Sequence, residues 1–217
     1  MNYKVTDGIV NLDFELSKLE LELMDDFMLR MKNKGYLYLS VPTVVKRETV
    51  RKQECPKSLW IDDIYALGGS AEQGILQYFS DSTVNEMKIY AKNTCIREED
   101  YYEDIIRVKE FNKIEQYCFC HSHNWKGNFD ELLNNSIEFL IDHNITYRIV
   151  DMTNKDEGYH IKKYDIEIYT DRWGWVESHS CTYFGEEQTK RFNIKGATHT
   201  ISNTGIASPR ILMPFIK

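Results

Sequence analysis

Residues 198–212 read Thr-His-Thr-Ile-Ser-Asn-Thr-Gly-Ile-Ala-Ser-Pro-Arg-Ile-Leu. A polar strand ends at Asn203-Thr204-Gly205 and runs into a helix expected to start near Ile206, with Arg210 as its arginine. A guanidinium is a planar, permanently charged fork that grips phosphate with paired hydrogen bonds and stacks on a base. Standing alone, an arginine on an amphipathic C-terminal helix belongs to a solvated face. Its meaning depends on what lies upstream.

Upstream, Cys95-Ile96-Arg97-Glu98-Glu99 closes a β-prone run over 88–97. Arg107-Val108-Lys109-Glu110-Phe111-Asn112-Lys113-Ile114-Glu115-Gln116-Tyr117 lies in the next, over 105–120, after the acidic turn Glu98 to Asp104. Phe111 and Glu115 follow Arg97 by 14 and 18 residues. A hairpin whose alternating charges solvate one face would look similar. Ser70-Ala71-Glu72 follows the Gly68-Gly69 break, and serine there is also a good helix N-cap. Trp175-Val-Glu177-Ser-His-Ser180-Cys181 precedes Gln188-Thr-Lys-Arg-Phe-Asn-Ile194, and Lys162-Lys-Tyr-Asp165-Ile-Glu167 stands before both.

The chain has 217 residues, 42% of them hydrophobic and 13% aromatic, enough to bury the core of one moderate domain. No apolar run approaches the roughly 20 residues that cross a bilayer, and Met1-Asn2-Tyr3-Lys4 leads into no apolar signal core. A membrane protein is not expected. Five cysteines at irregular spacing suit free thiols in a reducing, cytoplasmic compartment. The 27 basic and 34 acidic residues give a charge of −7, with no basic block of the kind that holds nucleic acid.

Hydrophobic periodicity predicts an amphipathic helix over 12–34, with Leu16, Leu19, Leu23, Phe27 and Met31 on one stripe and Gly35 as its stop. A strand follows over Tyr36–Pro42, then an irregular charged stretch over 46–63 and a helix over 71–79. A second amphipathic helix is expected over 130–143 and strands over 146–152, 164–170, 174–183 and 198–203. Strands clustered between few helices predict an α+β fold with an antiparallel sheet.

Together, these segments resemble the catalytic core of class II aminoacyl-tRNA synthetases, and the seryl branch in particular. Residues 36–50 resemble the first motif of that class, which makes a dimer interface. The segments around Arg97 and Arg107–Tyr117 resemble the second, and 198–212 the third. The resemblance runs from about residue 12 onward and implies one catalytic domain over 1–217, an antiparallel sheet flanked by helices, and a homodimer. It implies ATP and Mg2+ as partners, with Arg97 bridging the substrate carboxylate and the α-phosphate. Glu99, Arg107 and Arg210 would contact ATP, and Phe111 would stack on adenine. Glu177 and Ser180 would hold Mg2+. Ser70, Glu72, Arg97, Glu115 and Thr204 would surround a small, serine-like amino acid. Cys118, Cys120, His121 and His123 suggest zinc by type, but Cys118 and Cys120 fall on a strand of the family. The resemblance implies an amino-acid pocket without zinc.

The sequence also departs from the family. The chain starts almost at the catalytic core, so the N-terminal helical arm that reaches tRNA is not expected; the loop between Arg97 and Arg107 is short and acidic, and Glu110 stands where a glutamine is usual. The activation residues are present, while carboxylates face the place where tRNA would dock. Two classes of function follow. One is an enzyme that adenylates a small amino acid and loads it on a carrier-protein phosphopantetheine thiol, or on tRNA with a partner supplying tRNA binding. The other is a non-catalytic paralogue that binds or regulates.

Overall fold

The structure is a computed structural model and describes residues 2–54 and 58–216. The chain opens with a hairpin of β1 (Tyr3–Thr6) and β2 (Ile9–Leu12). The turn is Asp7-Gly8, both at positive φ, the arrangement a two-residue hairpin favours. Alternation around Asp-Gly is a strong hairpin signal, and the sequence reading above passed over it.

Helix α1 (Phe14–Asn33) fills the predicted span. Asp13 caps it by accepting from the Leu16 amide at 2.9 Å. Gly35, at φ +82, ends it, and the Tyr36 amide returns to the Met31 carbonyl at 3.0 Å. Leu16, Leu23, Met24, Phe27 and Met31 are buried.

Only Leu37–Tyr38 of the next predicted strand pairs, as β3. The stretch 46–63 is not irregular. Strand β4 (Val44–Lys46), helix α2 (Arg47–Gln53), β5 (Leu59–Trp60) and β6 (Tyr65–Leu67) form a small three-stranded sheet with a helix beside it. Strands of two or three residues are too short to show a period. Residues 55–57, within the same stretch, lie outside the described residues.

Helix α3 (Ala71–Phe79) matches its prediction, with Ser70 as N-cap. After β7 (Thr83–Val84) come the long strands β8 (Met87–Ile96) and β9 (Glu110–Cys120). β9 begins five residues later than expected, because Glu103 and Arg107 close a tight turn first. Helix α4 (Trp125–Asp142) leads to β10 (Tyr147–Asp151), β11 (Lys162–Thr170) and β12 (Gly174–Gly185). Helix α5 (Glu187–Arg191), β13 (Lys195–Gly196), β14 (His199–Ser208) and a 3-10 helix (Arg210–Phe215) complete the chain.

The main sheet has seven strands in the order β10-β11-β12-β14-β9-β8-β3, antiparallel throughout except for β3 beside β8. The α+β antiparallel expectation holds. The predicted C-terminal α-helix does not start at Ile206. Ile206, Ala207 and Ser208 instead continue β14 opposite Ile114, Lys113 and Asn112, past a bulge at Gly205. A Cβ on Gly205 would lie 2.3 Å from the Phe27 ring, so only glycine fits beneath α1. Pro209, with no amide hydrogen to give, stands where the strand stops and the 3-10 helix begins.

Side chains on β9 alternate between two faces. Ile114, Cys118 and Cys120 join the core under α1 and α4, where Phe27 meets Phe139 edge-to-face at 5.4 Å. Tyr117 and Phe119 pack under α3 on the other side. Phe111, Lys113 and Glu115 share that second face beyond the helix, where the sheet stays open.

Candidate active site

The open part of the sheet forms a cleft of about 450 Å³. All the residues assigned above to ATP, Mg2+ or the amino acid line it: Ser70, Glu72, Arg97, Glu99, Arg107, Phe111, Glu115, Glu177, Ser180, Thr204 and Arg210. They come from the N-terminus of α3 and the residue before it, from β8–β9 and the turn between them, from β12, and from β14 and its 3-10 extension.

At one end the cleft is cationic. The Arg97 guanidinium lies over the Phe111 ring, and its Nε donates to the Gly69 carbonyl at 3.1 Å. Arg107 pairs with Glu99 at 2.7 Å across the acidic turn. Arg210 donates from Nε to the Ile106 carbonyl at 2.8 Å and from a terminal nitrogen to the Glu177 carbonyl at 3.1 Å. Burial lowers the Arg210 pKa. The charge of Glu177 opposes that shift, while the positive charges of Arg97 and Arg107 add to it. Three arginines that feel one another across a cleft suit a polyanion.

At the other end the cleft is small and polar. Ser70 Oγ donates to Glu115 Oε2 at 3.1 Å, and the Lys113 ammonium pairs with the same oxygen. Thr204 lies across from Glu115 on the neighbouring strand. Glu72 is buried and takes hydrogen bonds from the amides of Gln53 at 2.5 Å and Gln188 at 2.6 Å. Burial, and next the charge of Glu115, raise its pKa. Such an enclosure fits an ammonium beside a short hydroxylated side chain.

Between these ends lies an oxygen-rich corner. Glu177 and Ser180 are three residues apart and would face opposite ways on a regular strand. A bulge leaves Ser178 without a register partner: Glu177 pairs with Glu167, and His179 already pairs with Ile166. Both Glu177 and Ser180 therefore reach the cleft. The Glu177 side chain is 52% exposed, and its carboxylate stands 3.8 Å from Arg210. A half-exposed carboxylate and a hydroxyl beside open solvent fit Mg2+, a hard cation that takes oxygen ligands and keeps several waters. Asp165, across from Ser180 on β11, has its pKa raised to about 6 by burial and the charge of Glu177, with a Ser180 hydrogen bond opposing.

The sequence reading missed several lining residues. Lys113 stands midway between Phe111 and Glu115 on the cleft face of β9. The alternation of Phe-x-Lys-x-Glu was signal enough to include it. Gln53, Tyr159 and Lys163 close the polar end: the Tyr159 hydroxyl donates to the Gln53 carbonyl at 3.0 Å, and Lys163 pairs with Asp156. They come from segments far apart in sequence, which no local pattern connects. Cys95, Cys118, Cys120 and Cys181 are buried free thiols, and Cys55 lies outside the described residues. His121 and His123 stack on each other at 5.7 Å. No group of three or more His, Cys, Asp or Glu placed to hold a metal occurs among the described residues, and no helix there is long and apolar enough to cross a membrane.

Residues 59–212 match the model of the tRNA synthetase class II core domain (G, H, P, S and T). The chain is 29% identical to the serine–tRNA ligase of Deinococcus radiodurans over 86% of its own length and 50% of that protein. It is 28% identical to that of Picrophilus torridus over 93% of itself and 51% of the relative. Among solved structures, seryl-tRNA synthetase from Pyrococcus horikoshii complexed with ATP superposes with a TM-score of 0.87 at 22% identity, covering 96% of this chain and 52% of that one. The chain thus spans about half the length of these relatives. With its seven-stranded sheet and a family match that covers most of its length, this chain belongs to the class II tRNA synthetase core family.

Proposed function

We propose that this chain activates a small amino acid, serine in preference to others, as an aminoacyl adenylate. The observation that carries this is the meeting of Arg97, Arg107 and Arg210 with the Ser70–Glu115–Thr204 enclosure in one cleft. A triphosphate and a hydroxylated amino acid would lie end to end there. A carboxylate oxygen of serine attacks the α-phosphorus of ATP, the bond to the bridging oxygen breaks, and pyrophosphate leaves with the electron pair. Arg97 neutralises charge where the new bond forms. Arg107 and Arg210 hold the departing phosphates, and Phe111 stacks on the base. Glu177 and Ser180 would hold Mg2+, which supplies counter-charge to the triphosphate when bound. No covalent enzyme intermediate is needed: positioning and preorganised charge carry the rate.

The acceptor nucleophile then attacks the mixed anhydride. The chain's relatives in Deinococcus and Picrophilus are serine–tRNA ligases, which favours a tRNA as that acceptor. The carrier-protein thiol finds no support among the relatives named above. A homodimer joined through α1 and β3, acting in the cytoplasm, completes the proposal.

Serine-dependent exchange of labelled pyrophosphate into ATP tests it. A pocket built to bond a hydroxyl leaves polar groups unpaired when alanine or glycine enters, which discriminates by roughly 10⁴. Exchange with serine well above that with alanine and glycine is expected. Exchange that is equal for all three, or absent, would refute the assignment.

A further inference from the structure

Asp165 is 6% exposed, and its Oδ1 is buried with no hydrogen-bond partner. A buried carboxylate oxygen left unpaired is costly to keep. Asparagine or threonine would serve a strand at this position with less penalty. Asp165 lies directly across from Ser180, and Lys163, two residues before it on the same face, lines the cleft. The Lys163 ammonium is held by Asp156. The bulge in β12 turns Glu177 and Ser180 towards this face together. Two carboxylates and a hydroxyl thus meet at one corner, and the innermost carboxylate has an oxygen that the fold does not satisfy.

A serine hydroxyl carries one hydrogen and two lone pairs. It can offer a lone pair to a cation only when its hydrogen points elsewhere, to an acceptor. We propose that Asp165 is that acceptor, a positioning residue whose charged oxygen turns the lone pairs of Ser180 towards the cleft. The inference rests on the adenylation reading above, which assigns Glu177 and Ser180 to the cation. Partners behind a ligand orient it and strengthen it, and their loss typically costs about 10–100-fold in metal affinity.

The test uses Mn2+ as the probe, with the purified full chain and a non-hydrolysable ATP analogue, and reads free Mn2+ by electron paramagnetic resonance. Asp165→Asn keeps the shape and removes the charge. It should weaken Mn2+ retention in the protein–nucleotide complex about 10–100-fold, leave metal-free nucleotide affinity unchanged, and melt at the same temperature as the parent or higher. Ser180→Ala should weaken Mn2+ as well, and the double variant should be little worse than Ser180→Ala alone, because Asp165 acts through Ser180. Unchanged Mn2+ retention in Asp165→Asn would overturn the inference, as would fully additive losses or a lowered melting temperature as the sole effect. If the parent protein with nucleotide retains no more Mn2+ than nucleotide alone, the cation assignment of the adenylation reading falls instead.

Discussion

The guanidinium carbon of Arg97 sits 5.1 Å from the centroid of the Phe111 ring, while Arg97 Nε holds the Gly69 carbonyl at 3.1 Å. One side chain thus ties the aromatic floor of the cleft to the loop that presents Ser70. Arg97→Ala removes a positive charge from the cleft and one hydrogen bond to a neutral carbonyl. The structural loss is about 1 kcal/mol, so the variant should stay folded. Amino-acid-dependent pyrophosphate exchange should fall by about 10²–10³. A folded Arg97→Ala protein with full exchange would remove Arg97 from the reaction.

Glu72 is predicted to trade stability for binding. Burial and the nearby Glu115 raise its pKa in the fold above the unfolded value of about 4.3. For an acid shifted upwards, the folded state holds its proton more tightly than the unfolded chain. The penalty is absent below about pH 4, grows as pH rises towards the folded pKa, and is complete above it. Glu72→Gln keeps an oxygen for the Gln53 and Gln188 amides and cannot ionise. It should raise the melting temperature by several degrees at pH 7.5, with the gain shrinking towards pH 4, while serine activation weakens. Melting curves across that pH range decide the matter. A gain that stays constant with pH would show that Glu72 carries no such penalty.

The fold was legible in the sequence where elements are long and amphipathic: α1, α3, β8 and β10 to β12 stand close to where periodicity puts them, while β9 begins five residues later and α4 five residues earlier than expected. It was illegible where two or three residues pair, as in β4 to β6, because a period cannot register in so few positions. The end of β14 was misjudged for a different reason. Gly205 looks like a helix boundary, but it is a bulge that clears Phe27 on a helix some 180 residues earlier in the chain. The candidate site was legible as a set of residue types. What the sequence did not reveal was the bulge at Ser178, which turns Glu177 and Ser180 the same way, and the closure of the polar end by Gln53 and Tyr159. Both depend on chain segments meeting in space.

Association into a two-fold dimer is expected from the outward face of α1 and the neighbouring edge strand. Phe14 is 93% exposed, Leu21, Leu29 and Tyr38 are each more than half exposed, and Leu37 is 59% exposed. β3 is also the edge of the main sheet, with one side unpaired. Isologous contact across such a surface is the common solution. Light scattering at micromolar concentration should give twice the chain mass of 25.7 kDa. Leu29→Glu combined with Leu37→Glu should shift the reading to the monomer without unfolding it. A monomer in the unaltered protein would contradict the expectation.

The turn between Arg97 and Arg107 is anchored to the body of the protein. Asp104 accepts from the Tyr3 hydroxyl at 2.9 Å and the Trp173 indole at 3.2 Å, and pairs with Arg172 at 3.2 Å. The Lys109 amide donates to the Gly8 carbonyl at 2.8 Å, and Gly8 lies against Tyr102, where a Cβ would come within 2.5 Å of the ring. The N-terminal hairpin therefore holds this turn in place, with Glu98 and Asp100 exposed on it. Fixed carboxylates repel a phosphate backbone, and each basic side chain that replaces one adds a counterion-releasing contact. With this chain alone, adenylate formation should outpace transfer to tRNA. Glu98→Lys with Asp100→Lys should improve tRNA charging at low salt, make it more salt-sensitive, and leave pyrophosphate exchange unchanged. Labelled serine, ATP, tRNA and a phosphopantetheinylated carrier protein in one assay reveal the acceptor directly. Efficient, steeply salt-dependent charging of tRNA by the unaltered chain would show that the acidic turn is no obstacle.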